Sequence, residues 1–437
     1  MKGKNILPIV FAGLLALAAC QPKISMEQAV ASNKAGAVKY YLKHGIDANG
    51  TDQQGTSFLT LAAQNNADKV IKILAQTADI NTADKNGWTP LMHAADKGQL
   101  RAVQVLLDSG AQVTQTDPQG KTALIIASYQ NFPEIIKLLI QAGANVNTTA
   151  KNGQTALMYA VQGNALQAAQ ALLAAGANAN AALENGKVAL DYAVSAQNPQ
   201  EVKLLLEAGA TNAETINNAL IAASSKSNAD VIKLLLDAGA DVNYQDKRGV
   251  FPLLMATIRN NAKAIHLLIA AGADLNQKSE ETSPLQVACL NKHFEIATIL
   301  LNLGAKVNTS EGNEMLKVAN QSSNAEIIKR LVDAGANVNS YDKDKVTPLS
   351  DSCFYGRKEN VEALLEKGAD PNSVDIYGFT PLMRAVSGSH KEIAKLLLDA
   401  GANPNLVNKE GKTALKIAQG QQDLEIIALL QKAGAKK

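Results

Sequence analysis

A Gly-Ala pair returns along this chain at Gly110, Gly143, Gly176, Gly209, Gly239, Gly272, Gly304, Gly335, Gly368, Gly401 and Gly434. Most steps are 33 residues, and the others are 30, 31 and 32. Gly45 and the divergent Thr77 carry the series backwards, giving thirteen units from Ser25 onward. A unit this small cannot bury a core alone, so repeated units must stack and bury their apolar faces on one another. The composition agrees. Aromatic residues make up only 4% of the 437, too few large side chains for one deep core.

The unit Asp84 to Gln112 shows how each segment folds. Asn86-Gly87 suits a tight turn, because glycine tolerates positive φ. Thr89 is placed to cap a helix, and Pro90 fits its first position, where no amide donor is needed. Leu91, Ala94 and Ala95 share one helical face, and Gly98 ends that helix. Ala102, Val103, Leu106 and Leu107 form the apolar face of a second helix, which Gly110 stops in a left-handed conformation. The expected class is all-α, about thirteen helix-turn-helix units with β-turn or hairpin tips.

This pattern resembles the ankyrin repeat, which has the same period and the Thr-Pro-Leu signature. The signature stands at Thr89-Pro90-Leu91, Thr347-Pro348-Leu349 and Thr380-Pro381-Leu382, with softened forms such as Thr122-Ala123-Leu124 and Ser283-Pro284-Leu285. The resemblance covers the chain from residue 25 to 437. It implies a solenoid with tips along one edge and protein–protein binding along its inner side. Many family members carry His after the signature; this chain has Met92, Ile125, Met158 or Met383. Two units are short: Thr211 to Leu220 lacks an evident turn, and Thr309 to Leu316 is about two residues short. Stunted tips are expected there, dividing the array into blocks 25–209, 210–304 and 305–437. Ser25-Met26-Glu27-Gln28 reads as a capping box opening the first helix.

The first residues form a separate object. Lys2 and Lys4 precede an apolar stretch, Ile6 to Ala19, too short to span a bilayer core of about 30 Å as a helix. It suits an export signal. Leu17-Ala18-Ala19-Cys20 is similar to the lipobox of bacterial lipoproteins. That likeness implies removal of residues 1–19, lipid on Cys20, and a short tether at 20–24. With Gln21 rather than Asp after the cysteine, the Gram-negative sorting pattern favours the outer membrane, with the array facing the periplasm. Membrane contact would run through the anchor.

The formal charge is +2, with no run of like charge, so the basic stripe that neutralises phosphates is missing and no nucleic-acid partner is expected. Cys289 and Cys353 occupy equivalent places two units apart. Stacked helices lie about 8–10 Å apart, so both thiols are expected to be buried and free. His44, His93, His266, His293 and His390 pair with no His or Cys at metal-ligand spacing. The Asp residues at unit boundaries, Asp84, Asp117, Asp246, Asp342 and Asp375, read as turn formers. No phosphate loop, dinucleotide fingerprint or carboxylate pair is evident. The expectation is a non-enzyme without cofactor or metal.

The inner side implied by the resemblance carries mostly polar residues, such as Gln53, Lys85, Gln119 and Gln154. Phe354, Tyr355, Ile376, Tyr377 and Phe379 break that rule on adjacent units. Trp88, Tyr129 and Arg259 stand farther back. These eight are the candidate protein-binding residues. The partner expected is a protein: a toxin or effector neutralised by an immunity protein, a periplasmic enzyme served by an accessory, or a component held by an envelope scaffold. The array itself is expected to be monomeric. An enzymatic role for an irregular unit is the remote alternative.

Overall fold

The computed structural model describes residues 22–226 and 228–436; the expected export segment and the expected lipid site Cys20 lie outside them. Among the described residues are thirteen helix pairs and no strand. The chain divides into two compact units, Met1–Ala219 and Leu220–Lys437, with the division inside the helix Ala213–Ser224.

Local chemistry explains the repeated form. The hydroxyls of Thr89, Thr122, Thr155, Thr347, Thr380 and Thr413 each accept the N–H three residues on. Such a cap is worth about 1 kcal/mol against alanine. The Ser25 capping box is closed in both directions, Gln28 N–H to Ser25 Oγ and Ser25 N–H to Gln28 Oε1. Gly110 ends its helix at φ 93°. Gly98 has φ 69°, and a Cβ there would meet the Phe132 ring at 2.6 Å, so conformation and close approach both require glycine. Leu91, Ala94 and Ala95 pack with Ala102, Val103 and Leu106, all fully or almost fully buried. Each buried leucine contributes about 1.5–3 kcal/mol relative to exposure.

The tips are small hydrogen-bonded hairpins. Asp84, Asp117, Asp246, Asp342 and Asp375 each accept the N–H groups two and four residues on through Oδ1. Adjacent tips are joined by main-chain bonds, Lys151 N–H to Gln119 O, Ile376 N–H to Asp344 O and Lys409 N–H to Tyr377 O. On the helix-turn side, asparagines staple neighbouring repeats. Within the second unit, Oδ1 of Asn243, Asn276, Asn339, Asn372 and Asn405 accepts a main-chain N–H from the next repeat. Asn339, Asn372 and Asn405 also donate to the carbonyls of Gly368, Gly401 and Gly434.

The two short repeats replace their tips with helix. Ordinary first helices have seven residues; Ala213–Ser224 has 12 and Thr309–Gln321 has 13. In the second case Asn308 no longer staples repeats. Its Oδ1 accepts the Glu311 N–H and caps the lengthened helix.

One core position is anomalous. Ala102, Ile135 and Ala168 open the apolar faces of successive second helices, and Glu201 stands at the matching place, fully buried. Neither carboxylate oxygen has a hydrogen-bond partner among the described residues. Burial pushes its pKa up to about 7, because removing a carboxylate from water disfavours the charged form.

Candidate protein-binding surface

Phe354 is the last residue of the helix Pro348–Phe354, and Tyr355 is its C-cap. Small residues on the opposite side, Ser352 and Cys353, fill the core and leave these two rings outside. They meet edge to face at 5.1 Å between centroids. Tyr377 stands at the next tip, where the Asp375 turn fixes it through its own N–H. Phe354, Tyr355 and Tyr377 are 41%, 60% and 58% exposed.

Two arginines hold this surface. Arg357 donates to Asp351 Oδ2 at 2.8 Å and lies 4.6 Å from the Tyr355 ring. Arg384 pairs with the buried Asp375 and covers the Phe379 ring at 4.7 Å and the Phe354 ring at 5.7 Å. Cation–π contacts of this kind are worth about 0.5–1 kcal/mol at exposed sites and more when desolvated. The Phe354 and Tyr355 rings are therefore displayed in a fixed arrangement, which lowers the ordering cost of binding.

The other sequence candidates sort differently. Ile376 and Phe379 are half-buried: Ile376 joins its tip to Asp344, and Phe379 supports Arg384. They underlie the patch rather than form its outer face. Trp88 is also half-buried, 5.2 Å from the His93 ring. Tyr129 is exposed, but it and Trp88 belong to the first compact unit. Arg259 is exposed at the C-cap of Pro252–Ile258, whose equivalent on the patch is Tyr355 three repeats later. Gln154, read from sequence as an inner-surface residue, is buried and donates to the Tyr192 hydroxyl at 2.8 Å.

Sequence reasoning missed a further row. Tyr341, Val374 and Val407 fall 33 residues apart, each just before a tip, and all are exposed, Tyr341 by 68%. Ile258 and Leu290 occupy the place of Phe354 in earlier repeats of the same unit and are also exposed. Aligning the units on the start of their first helices would have revealed both rows.

Nucleophile and metal chemistry find little footing. Cys289 and Cys353 are buried and unbridged. Burial pushes the Cys289 thiol up to about 12 and the Cys353 thiol higher, so neither supplies thiolate near neutral pH. His293 Nδ1 lies 3.0 Å from the Thr257 carbonyl and His390 Nε2 3.1 Å from that of Phe354; both rings serve repeat stacking. Among the described residues no group of three His, Cys, Asp or Glu could hold a metal ion, and no helix is long and apolar enough to cross a membrane.

A family model described as ankyrin repeats (3 copies) matches residues 26–117, 114–182, 167–246, 219–311 and 306–375. A second, ankyrin repeats (many copies), matches residues 364–418. The chain belongs to the ankyrin-repeat family. Its helix pairs, hairpin tips and Thr-Pro-Leu caps are thus ankyrin features, and ankyrin repeats are generally non-catalytic protein-binding modules. Among curated proteins, the human (Homo sapiens) transient receptor potential cation channel subfamily A member 1 is 38% identical over 66 residues. That match covers 15% of this chain and 6% of the channel protein, about two repeats, so the chain aligns with only a small part of that relative.

Proposed function

We propose that this ankyrin array is held at the bacterial outer membrane by lipid on Cys20, faces the periplasm, and binds a protein partner through Phe354, Tyr355 and Tyr377. The observation that carries the binding surface is the exposed Phe354 and Tyr355 rings, held by Arg384 and Arg357, with the exposed Tyr377 on the next tip, in a chain otherwise poor in aromatics. Solvent-facing rings cost hydration free energy that a partner would recover, and Tyr, Trp and Arg are the residue types that anchor interfaces. The anchor is supported by the Leu17-Ala18-Ala19-Cys20 sequence after its short basic start. Multiple acyl chains, at about 0.8 kcal/mol per buried CH₂, give stable attachment.

Two uses fit such a receptor. One is immunity, in which the array neutralises a toxin delivered to the envelope. The other is an envelope scaffold or an accessory to a periplasmic enzyme. Crosslinked pull-down from intact envelopes, followed by identification of the captured protein, separates them: a delivered toxin selects the first and a resident enzyme the second. Replacing Phe354, Tyr355, Tyr377 and Phe379 together by Ala should abolish capture while leaving helicity intact. Capture that survives this change makes the patch structural. Cys20→Ser should abolish palmitate labelling and release the protein from the membrane fraction; an unchanged fractionation rejects the anchor.

A further inference from the structure

The missing tip in the repeat containing Thr309–Gln321 leaves a cavity of about 420 Å³ beside the next tip. Asn313, Glu314, Lys317, Tyr341, Asp342 and Asp351 are among its walls. Three carboxylates thus face one lysine. Glu314 accepts only a long bond from Gln286 at 3.3 Å, and Asp351 is held by Asn320 and Arg357. The buried Asn313 Oδ1 has no donor among the described residues.

Comparison between repeats gives the cavity its chemistry. Where a tip opens on Asp, Oδ1 holds the turn and Oδ2 is left for another partner, which the residue nine positions on can supply. In two repeats a basic side chain fills that place: His93 against Asp84 and Arg384 against Asp375. In the repeat beside the cavity the turn acid is Asp342, and the residue nine positions on is Asp351. The frame keeps its carboxylate and substitutes a second one for its cation. No described Lys, Arg or His forms an ion pair with Asp342. The neighbouring repeat also shows a guanidinium in this setting, Arg384, paired with the turn Asp and covered by aromatic rings.

We propose that this cavity receives an arginine side chain from the protein partner, its guanidinium donating to the carboxylates of Asp342 and Glu314 beneath the exposed Tyr341 ring. Arginine fits better than lysine because its planar fork serves two acceptors at once and stacks on an aromatic face. Asp351 of the cavity wall pairs with Arg357, which lies over the Tyr355 ring of the aromatic patch. The proposal rests on the binding reading only for the source of the arginine.

The test uses the full chain and acetyl-arginine amide as the probe, followed by NMR of the Asn313, Asn320 and Tyr341 resonances. Saturable shifts are expected in the millimolar range, where a single side chain binds. Acetyl-citrulline amide, which keeps the shape and loses the charge, should bind roughly tenfold more weakly. Asp342→Asn, which keeps the Oδ1 acceptor of the turn, should weaken arginine similarly. Glu314→Gln offers a second variant away from the turn if the first alters the fold. Absence of saturable shifts, equal binding of citrulline, or indifference to both substitutions overturns the proposal. A negative result here beside loss of partner capture by the aromatic-patch variant would reject the arginine site and retain the binding surface.

Discussion

Some aromatic residues of the two compact units are used in opposite ways. In the first, Tyr159 and Tyr192 occupy the place nine residues after the start of a tip and turn inward. Asn152 donates to the Tyr159 hydroxyl at 3.1 Å and Gln154 to that of Tyr192 at 2.8 Å. Lys121 and Lys187 lie over these rings at 5.1 and 4.4 Å. In the second, two of the matching positions hold charged residues, Asp351 and Arg384, while Phe354, Tyr355 and Tyr377 sit at a helix end and a tip and face solvent. The repeat frame decides whether an aromatic ring ties neighbours together or remains available. A shift of three residues along the first helix separates the two outcomes.

That contrast can be broken experimentally. The largest effect should come from Phe354, Tyr355 and Tyr377 all changed to Ala. Interface hot spots cost about 2 kcal/mol or more each, so partner affinity should fall more than about a hundredfold. Melting should scarcely change, because exposed rings contribute little to packing; titration of the captured partner and a thermal scan measure the two. Tyr159→Ala should do the reverse, lowering stability by about 3 kcal/mol while leaving partner affinity unchanged. If it weakens binding as much as the triple variant, the division of labour between the units is wrong.

Glu201 sharpens the comparison in the first unit. Its folded pKa is about 7, above the ordinary carboxylate value. The folded state therefore holds a proton that the unfolded chain releases between about pH 4.5 and 7. Stability from this site is intact below about pH 4.5 and falls as pH rises through 7, by up to about 3 kcal/mol. Glu201→Leu should remove that slope and raise the denaturation midpoint most at pH 8. A pH profile identical in the variant and the parent would contradict the assignment. The smallest effect concerns the staples: Asn372→Ala removes one bond to Asn403 and one to Gly401, and should cost about 1–2 kcal/mol in denaturant melts.

Much of the repeat was legible in sequence because its signals are local. Thr89, Pro90 and Gly110 each act within one turn of backbone, and Asp84 shapes a hairpin only five residues long. The period then ordered those local elements into stacked pairs. The surface was less legible because exposure depends on the neighbouring repeat. Phe379 and Tyr377 are two residues apart, yet Arg384 covers only the first. Gln154 reads as polar and exposed until Tyr192, 38 residues on, takes its amide. The cavity beside Tyr341 was invisible for the same reason. Its shape comes from a missing tip in one repeat, and its charge from Asp351 in the next.

The asparagine staples have a consequence for how such a chain changes length. Each staple contacts a main-chain N–H, and in several repeats also a glycine carbonyl, so it recognises no particular side chain. Excising the segment from Asn372 to Pro404 would present Asn405 to the preceding repeat in the register that Asn372 left. Unequal exchange between copies of the coding sequence can therefore add or remove whole 33-residue segments while the staple across the new junction re-forms. The capping role of Asn308 marks the one staple position of the second unit where such an exchange would not be neutral.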